Sequence, residues 1–478
     1  MYQSHLVTLL NKTQKQKNMK KLFLFAIIAV TMAAVSCRKT DSDKATKPPT
    51  EETTLKDSIT SDRTLKAGNT YTLHGLVYVT NGAKLTIEPG TTIHGETATK
   101  GALIITRGSQ IIANGTKDKP IVFTSDASDP KRGDWGGVVI CGKAPVNSSF
   151  NGTQGVGQVE GGVNNAAGYG LYGGTNASDN SGVLKYVRIE YAGYAYLPDN
   201  ELNGLTLAGV GSGTTIDYVE IYKANDDAIE CFGGSVNLKH TLAVSTLDDD
   251  YDTDNGWSGH VQWGIVLRDS GIADISKSES FESDNDANGS DLTPQTSGIY
   301  SNMTIIGPRA TASNVGNSLF LAAAQIRRNS SISIFNSVIM GYPKGLLVDA
   351  SKGTPTDNNI KGNELLVQNT IIAGCVTPVD YSASTTAATG WTAADVISWF
   401  NKPENGNSIL PANAEVMLTD AFNYSNPDFT PKAGSPLLNG ASFTNLKIAT
   451  LNFTPTTYRG AVGPTGEDAI WWKGWTKF

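Results

Sequence analysis

Short apolar runs recur along the chain, each broken by one polar residue and closed by glycine or a loop. The unit reads LKYVRIEYAG at Leu184–Gly193, IDYVEIYKA at Ile216–Ala224 and LKHTLAVST at Leu238–Thr246. It returns as YSNMTIIG at Tyr300–Gly307, IFNSVIMG at Ile334–Gly341 and VQNTIIAG at Val367–Gly374. Runs this short, rich in β-branched and aromatic residues, predict strands rather than helices. Aligned on the third residue (Tyr186, Tyr218, His240, Asn302, Asn336 and Asn369), the units are 32, 22, 62, 34 and 33 residues apart. Such self-similarity is the mark of a solenoid. The gap of 22 fits one bare coil of a parallel β-helix, and gaps near 33 fit a coil carrying an inserted loop. The gap of 62 must hold additional coils or a long excursion.

A β-sandwich would instead space its strands at about 8–12 residues with hairpin signals between them. Asn-Gly pairs occur at 81, 114, 151 and 203, but without matched flanking strands. Ala83–Gly95, Ala102–Asn114 and Pro120–Thr124 extend the strand–corner–strand pattern upstream. The expected fold is all-β, a single-stranded parallel β-helix over residues 61–385. Each coil buries its apolar face only against its neighbours. Asn336 and Asn369 at equivalent positions predict a side-chain amide ladder along one corner. Residues 386–478 read as terminal coils and a C-terminal cap. There Trp391–Phe400 has helical spacing with Thr392 as N-cap, and Phe429–Gly440 looks like a last coil. Trp471, Trp472 and Trp475 suit a cover over the exposed end, with a sugar platform as the alternative.

The start of the chain has a different character. Lys20-Lys21 precede the apolar run Leu22–Val35, which is short for a membrane span and right for a signal-peptide core. The run ends in Ala34-Val35-Ser36-Cys37, which resembles the lipobox of bacterial lipoproteins; Ala34 stands where Leu is more usual. This predicts a signal peptide over 19–36, lipidation at Cys37, and a membrane partner through that anchor. Several acyl chains on one cysteine hold stably, because each buried CH₂ contributes about 0.8 kcal/mol. Residues 1–18 then read as a misassigned start, and the polar stretch 37–60 as a flexible tether. The expected address is exported: outer membrane or cell surface.

Composition and charge narrow the partners. Of 38 basic residues, seven fall in the first 39 with no acid among them, so 31 face 45 acidic ones in the body. An acidic body argues against nucleic acid as a partner. Cys141, Cys231 and Cys375 are widely separated and form no metal-ligand pattern; each reads as a small buried apolar residue.

Several segments resemble a family of large secreted and lipid-anchored bacterial proteins. They are Asp134–Ile140 (DWGGVVI), Leu171–Gly174 (LYGG), Asp226–Gly234 (DDAIECFGG), Asp248–Asp254 with the following Gly-Trp-Ser-Gly, and Tyr458–Ala461 (YRGA). These proteins resemble pectate-lyase-like right-handed β-helices. The resemblance implies that handedness and an exported address, and it implies no activity.

The strongest candidate chemistry is acidic. Asp248, Asp249, Asp250, Asp252 and Asp254 place five carboxylates in seven residues. One 22-residue step earlier lie Asp226, Asp227 and Glu230. Neighbouring coils stack about 4.8 Å apart, and carboxylates at that distance repel unless a proton or cation lies between them. A calcium site fits hard, clustered oxygen ligands in an extracellular compartment. A second loop, Asp284-x-Asp286-x-Asn288-Gly289, matches the first half of an EF-hand, with Gln295 where the closing Glu would stand. Polysaccharide hydrolase or lyase chemistry is the alternative, with Asp227 and Asp249 as the acid–base pair and Lys223, Arg268, Arg327 or Arg328 as basic partners. The blandest account is a solvated cluster in which Glu230 pairs with Lys223 or Lys239. Tyr191, Tyr194 and Tyr196 form an alternating aromatic strip able to stack on sugars. The favoured expectation is a non-catalytic surface β-helix, calcium-stabilised, that binds glycan or acts in adhesion.

Overall fold

The computed structural model describes residues 52–478 apart from 198, 199, 312, 315 and 386–389. Cys37 and the signal segment lie outside the described residues. The body is a right-handed parallel β-helix whose coils contribute to three parallel ladders. The long strands Gly182–Glu190, Thr215–Tyr222, Asn237–Val244, His260–Leu267 and Ile299–Ile306 each serve two of them. In the first of these, Gly182–Lys185 pairs with Ile111–Asn114, and Val187–Ile189 with Ile121–Phe123.

The join between the two halves is the position on which the repeats align. Tyr186, Tyr218, His240, Asn302, Asn336 and Asn369 all hold left-handed backbone, with φ between 48° and 56°. Trp263, at φ 63°, occupies the same corner. It divides the 62-residue gap and shows that one further coil fills it. An αL corner interrupts the two-residue side-chain alternation, so both flanking halves keep their apolar faces inward. Asn tolerates this conformation by chemistry. The aromatic residues hold it by stacking: Tyr186 on Tyr218 at 4.3 Å, Tyr218 on His240 at 4.2 Å and His240 on Trp263 at 4.6 Å between centroids.

The expected amide ladder takes a different form. Asn302 Nδ2 donates to Thr456 Oγ1 and the Tyr458 carbonyl, and Asn336 exchanges two hydrogen bonds with the Ser442 backbone. These amides fasten the C-terminal segment along the corner. The tryptophans follow the same course, which corrects their expected place at the end of the solenoid. Trp471 and Trp475 pack edge-on against the ring stack on its flank, while Lys477 donates its backbone N–H to Glu220 and its ammonium to Glu190. Rings that would otherwise line an open corner are partly covered by the chain's own tail. The helix Ala393–Phe400, expected from its spacing, instead covers the last strand of the third ladder with Val396, Trp399 and Phe400. Its Thr392 N–H donates to Asp395 at 2.7 Å.

The two ends of the solenoid take the following form. The first strand, Thr54–Ile59, lies inside the stretch read as tether, because Leu55 and Ile59 bury against the next coil. The last rung, Ser408–Leu410, falls in the stretch read as terminal coils. Phe429–Gly440 is not a coil: Asp428–Pro431 pairs antiparallel with Leu418–Asp420. Asn151-Gly152, both at positive φ, does close a short hairpin between Ser149–Phe150 and Thr153–Gln154. It lies in a loop inserted between coils, so the solenoid is undisturbed.

Candidate functional site: a carboxylate staircase

The third ladder carries the acids. It runs through Gly137–Cys141, Leu205–Ala208, Ile229–Phe232, Tyr251–Asp254, Phe281–Ser283, Ala322–Arg327 and Lys344–Asp349. Ile229, Tyr251 and Phe281 point inward and are buried in the core. The next residues therefore point outward and stack in register: Thr206, Glu230, Asp252, Glu282, Gln325. The 22-residue step is the true register between Glu230 and Asp252. The following step is 30 residues, because a loop at 269–277 enters before Phe281.

A second acidic row lies in the turns leading into these strands. Asp227 Oδ1 accepts the backbone N–H of Asp249 at 2.9 Å, and Asp249 Oδ1 accepts that of Glu279 at 2.6 Å. Each coil thus hangs an acid on the acid below. Among the described residues, carboxylate oxygens come within 4.8 Å of one another in three groups: Asp226–Asp227–Asp248, Asp227–Glu230–Asp252 and Asp249–Glu279–Glu282. Asp227 belongs to two of them. Two oxygens each about 2.4 Å from one calcium ion lie at most about 4.8 Å apart, so each group has the span of a single ion.

Burial and mutual repulsion push these carboxyls toward the protonated form. Asp226, Asp227, Glu230, Asp249 and Asp252 are all raised well above the ordinary carboxylate range, burial first and neighbouring acids second. Asp248 is pushed up to about 6, Glu282 to about 7 and Glu279 to about 8, with burial again leading. Glu279 is 2% exposed, and among the described residues its Oε1 accepts no hydrogen bond from an N–H or hydroxyl group; its side-chain partner is the Asp249 carboxyl. Carboxyls crowded in this way are relieved either by retained protons or by positive charge between them.

Other expected members stand elsewhere. Asp250 forms a fully buried ion pair with Arg268 at 3.0 Å, which makes it structural. Asp254 caps the Asn255 backbone N–H and joins none of the three groups. The partial EF-hand is not assembled as a cation loop. Asp284 binds Arg327 Nε at 2.9 Å and Arg328 Nη1 at 2.6 Å, and Asp286 is spent on the backbone N–H groups of Asn288 and Ser290. Four basic candidates are likewise occupied: Arg268 by Asp250, Arg327 and Arg328 by Asp284, and Lys223 by the Tyr222 ring. Glu230 pairs with neither Lys223 nor Lys239; its hydrogen-bond donor is the Asn203 amide. The tyrosine strip is split. Tyr191 packs on Tyr222 beneath the Lys477 ammonium, and Tyr194 and Tyr196 pack on each other with Lys100 over Tyr194.

Sequence reasoning missed Glu160, Glu279 and Glu282. Glu279 and Glu282 sit 30 residues beyond Asp249 and Asp252, a step visible only once the loop is allowed for. Glu160 hydrogen-bonds with Glu230 and is pushed up to about 7 by burial. It comes from an inserted segment with no periodic signal. Beside the third group, a cleft of about 240 Å³ is lined by Asp248, Asp249, Ser276, Lys277, Glu279, Glu282, Leu321, Gln325 and Arg327.

Residues 57–410 match the family described as the pectate-lyase like beta helix domain. The chain belongs to that family. Among solved structures, that of pectate lyase Pel9A is similar over 81% of this chain and 89% of its own length, at 13% identity and a TM-score of 0.33. A likeness that distant carries no argument about activity. No curated protein matches the chain. Membership of the pectate-lyase like family accounts for the coils and their handedness, and leaves the chemistry to the residues.

Proposed function

We propose that this protein is a lipid-anchored β-helix of the cell envelope that holds calcium at the Asp227 node and binds polysaccharide without cleaving it. The observation that carries the reading is the node itself. Asp226, Asp227, Glu230, Asp248 and Asp252 bring five carboxylates from two consecutive coils into two ion-sized groups sharing Asp227. An all-oxygen, anionic set of this kind fits a hard divalent cation, and calcium accepts the six to eight ligands and loose geometry such a set offers. A cation held there would supply positive charge able to attract carboxylate or hydroxyl groups of a glycan. The anchor at Cys37 is part of the proposal and rests on the signal sequence alone.

A second reading, a polysaccharide lyase or hydrolase, is favoured by one feature. The cleft beside Glu279 brings Lys277 and Arg327 next to the acids. Binding and turnover separate the two. The folded protein is run through native gels containing acidic or neutral polysaccharides, with calcium or with EGTA, and the same mixtures are assayed for unsaturated and reducing ends. Calcium-dependent retardation without new ends supports the binding role. Turnover that disappears in Asp227→Ala and Asp249→Ala would establish the enzyme instead.

A further inference from the structure

We propose a second divalent-cation centre, formed by Asp249, Glu279 and Glu282 one coil beyond the Asp227 node and reached through the cleft beside it. It relies on the calcium reading only for the identity of the ion.

Three observations meet there. First, the three carboxylates offer oxygens mutually within 4.8 Å, the span of one ion. Second, Glu279 is only 2% exposed, and among the described residues its Oε1 accepts no hydrogen bond from an N–H or hydroxyl group; its side-chain partner is another acid, Asp249. A carboxyl oxygen withdrawn from water and left without a donor is costly, and if ionised it is among the costliest arrangements a protein interior can hold. Its neighbours worsen it. Asp249 already accepts the Glu279 backbone N–H on Oδ1, so what it brings toward Glu279 is a second carboxyl rather than a basic group. Arg327 supplies one guanidinium, which it divides between Glu282 and Asp284. Third, the site has an entrance. The cleft of about 240 Å³ opens onto Asp249, Glu279 and Glu282, with Ser276 and Gln325 among its other polar walls. It has room for several waters, which could complete a coordination shell that three carboxylates begin. A path for a hydrated ion is one of the requirements of a real metal site.

The centre also gives the loop at 269–277 a purpose. That excursion lengthens the coil so that Glu279 follows Ser278 directly into the acid row, and Ser276 Oγ donates to Asp248 at 2.8 Å. A cation on Glu279 would therefore tie the loop to the wall of the helix.

Calcium stoichiometry decides the matter. The full-length folded protein is stripped with EGTA, equilibrated with calcium chloride, and assayed for bound calcium by elemental analysis. Wild type should bind two ions. Glu279→Gln, which keeps the shape and removes the charge, should bind one. Asp227→Asn should also bind one, having lost the other. An unchanged count of two in Glu279→Gln would overturn this second centre and leave the Asp227 reading standing, as would a wild-type count of one that Glu279→Gln keeps and Asp227→Asn loses; a count of one that Glu279→Gln loses and Asp227→Asn keeps would overturn the Asp227 reading instead. A count of zero in wild type would overturn both. Infrared spectra of the calcium-loaded wild type at pH 7 give an independent check. A protonated carboxyl stretch that vanishes in Glu279→Gln would mean that a shared proton, and no cation, fills the site.

Discussion

Raising the pH of the cation-free protein should destabilise it, and calcium should abolish that dependence. Glu279 shows the sign and the size. Its carboxyl titrates near 4.5 in the unfolded chain and is pushed up to about 8 in the fold, chiefly by burial and then by Glu282. Between those values the folded state keeps a proton that the unfolded state has released, so stability falls as pH rises. The contribution is fully present below pH 4.5 and fully lost above about 8. At about 1.36 kcal/mol per pH unit, that one group contributes on the order of 5 kcal/mol across the window. Asp248 and Glu282, pushed up to about 6 and about 7, act with the same sign. An unfolding entropy of about 2.1 cal/mol/K per residue over Thr53–Phe478 gives roughly 0.9 kcal/mol/K, so 5 kcal/mol corresponds to a melting shift of roughly 5 °C.

The assay is differential scanning calorimetry from pH 4.5 to 8 in EGTA, repeated in calcium at a hundred times its dissociation constant. Calcium should raise the melting temperature at pH 8 by roughly 3 °C per site, since binding at that excess contributes about 2.7 kcal/mol. Its effect should shrink toward pH 4.5, where protons already occupy the carboxylates. A melting temperature independent of pH in EGTA would refute the electrostatic reasoning. A pH dependence that calcium leaves untouched would refute the metal.

Other expectations follow from the same framework. Arg268→Met strands Asp250 as an unpaired buried charge and should cost about 3–5 kcal/mol, read as a lowered melting temperature; Arg268→Met with Asp250→Leu should recover much of the loss. Trp475→Ala removes a fully buried indole from the ring stack and should cost about 3–5 kcal/mol. In that variant limited proteolysis should release the C-terminal segment before the coils are cut. Cys37→Ser should abolish metabolic labelling by radioactive palmitate and release the protein from the membrane fraction; retained label would remove the anchor from the account.

Much of the fold was legible because a β-helix repeats its constraints. The residues on which the units align, from Tyr186 to Asn369, are the corner residues themselves, and only residues able to hold positive φ stand there. Trp263 escaped because Gly264 follows it where the other units place a larger residue. The stacking of Glu230 on Asp252 followed from a step with no insertion, whereas Glu282 was hidden by a loop whose length carries no periodic signal. The tail was misjudged for another reason. Three tryptophans announce burial, but composition does not say against what, and the flank of the ring stack competes with the open end. Asp284 and Asp286 show the limit of a local motif. Their spacing suits a cation loop, yet Arg327 and Arg328 arrive from the next coil and claim Asp284 first.

An anomalous difference map from crystals grown in calcium chloride tests the central claim most directly. The account predicts a peak bounded by oxygens of Asp227, Glu230 and Asp252, or of Asp226, Asp227 and Asp248, with oxygen contacts of about 2.3–2.6 Å. Featureless density at the Asp227 node in saturating calcium, with the carboxyls in contact with one another, would contradict it.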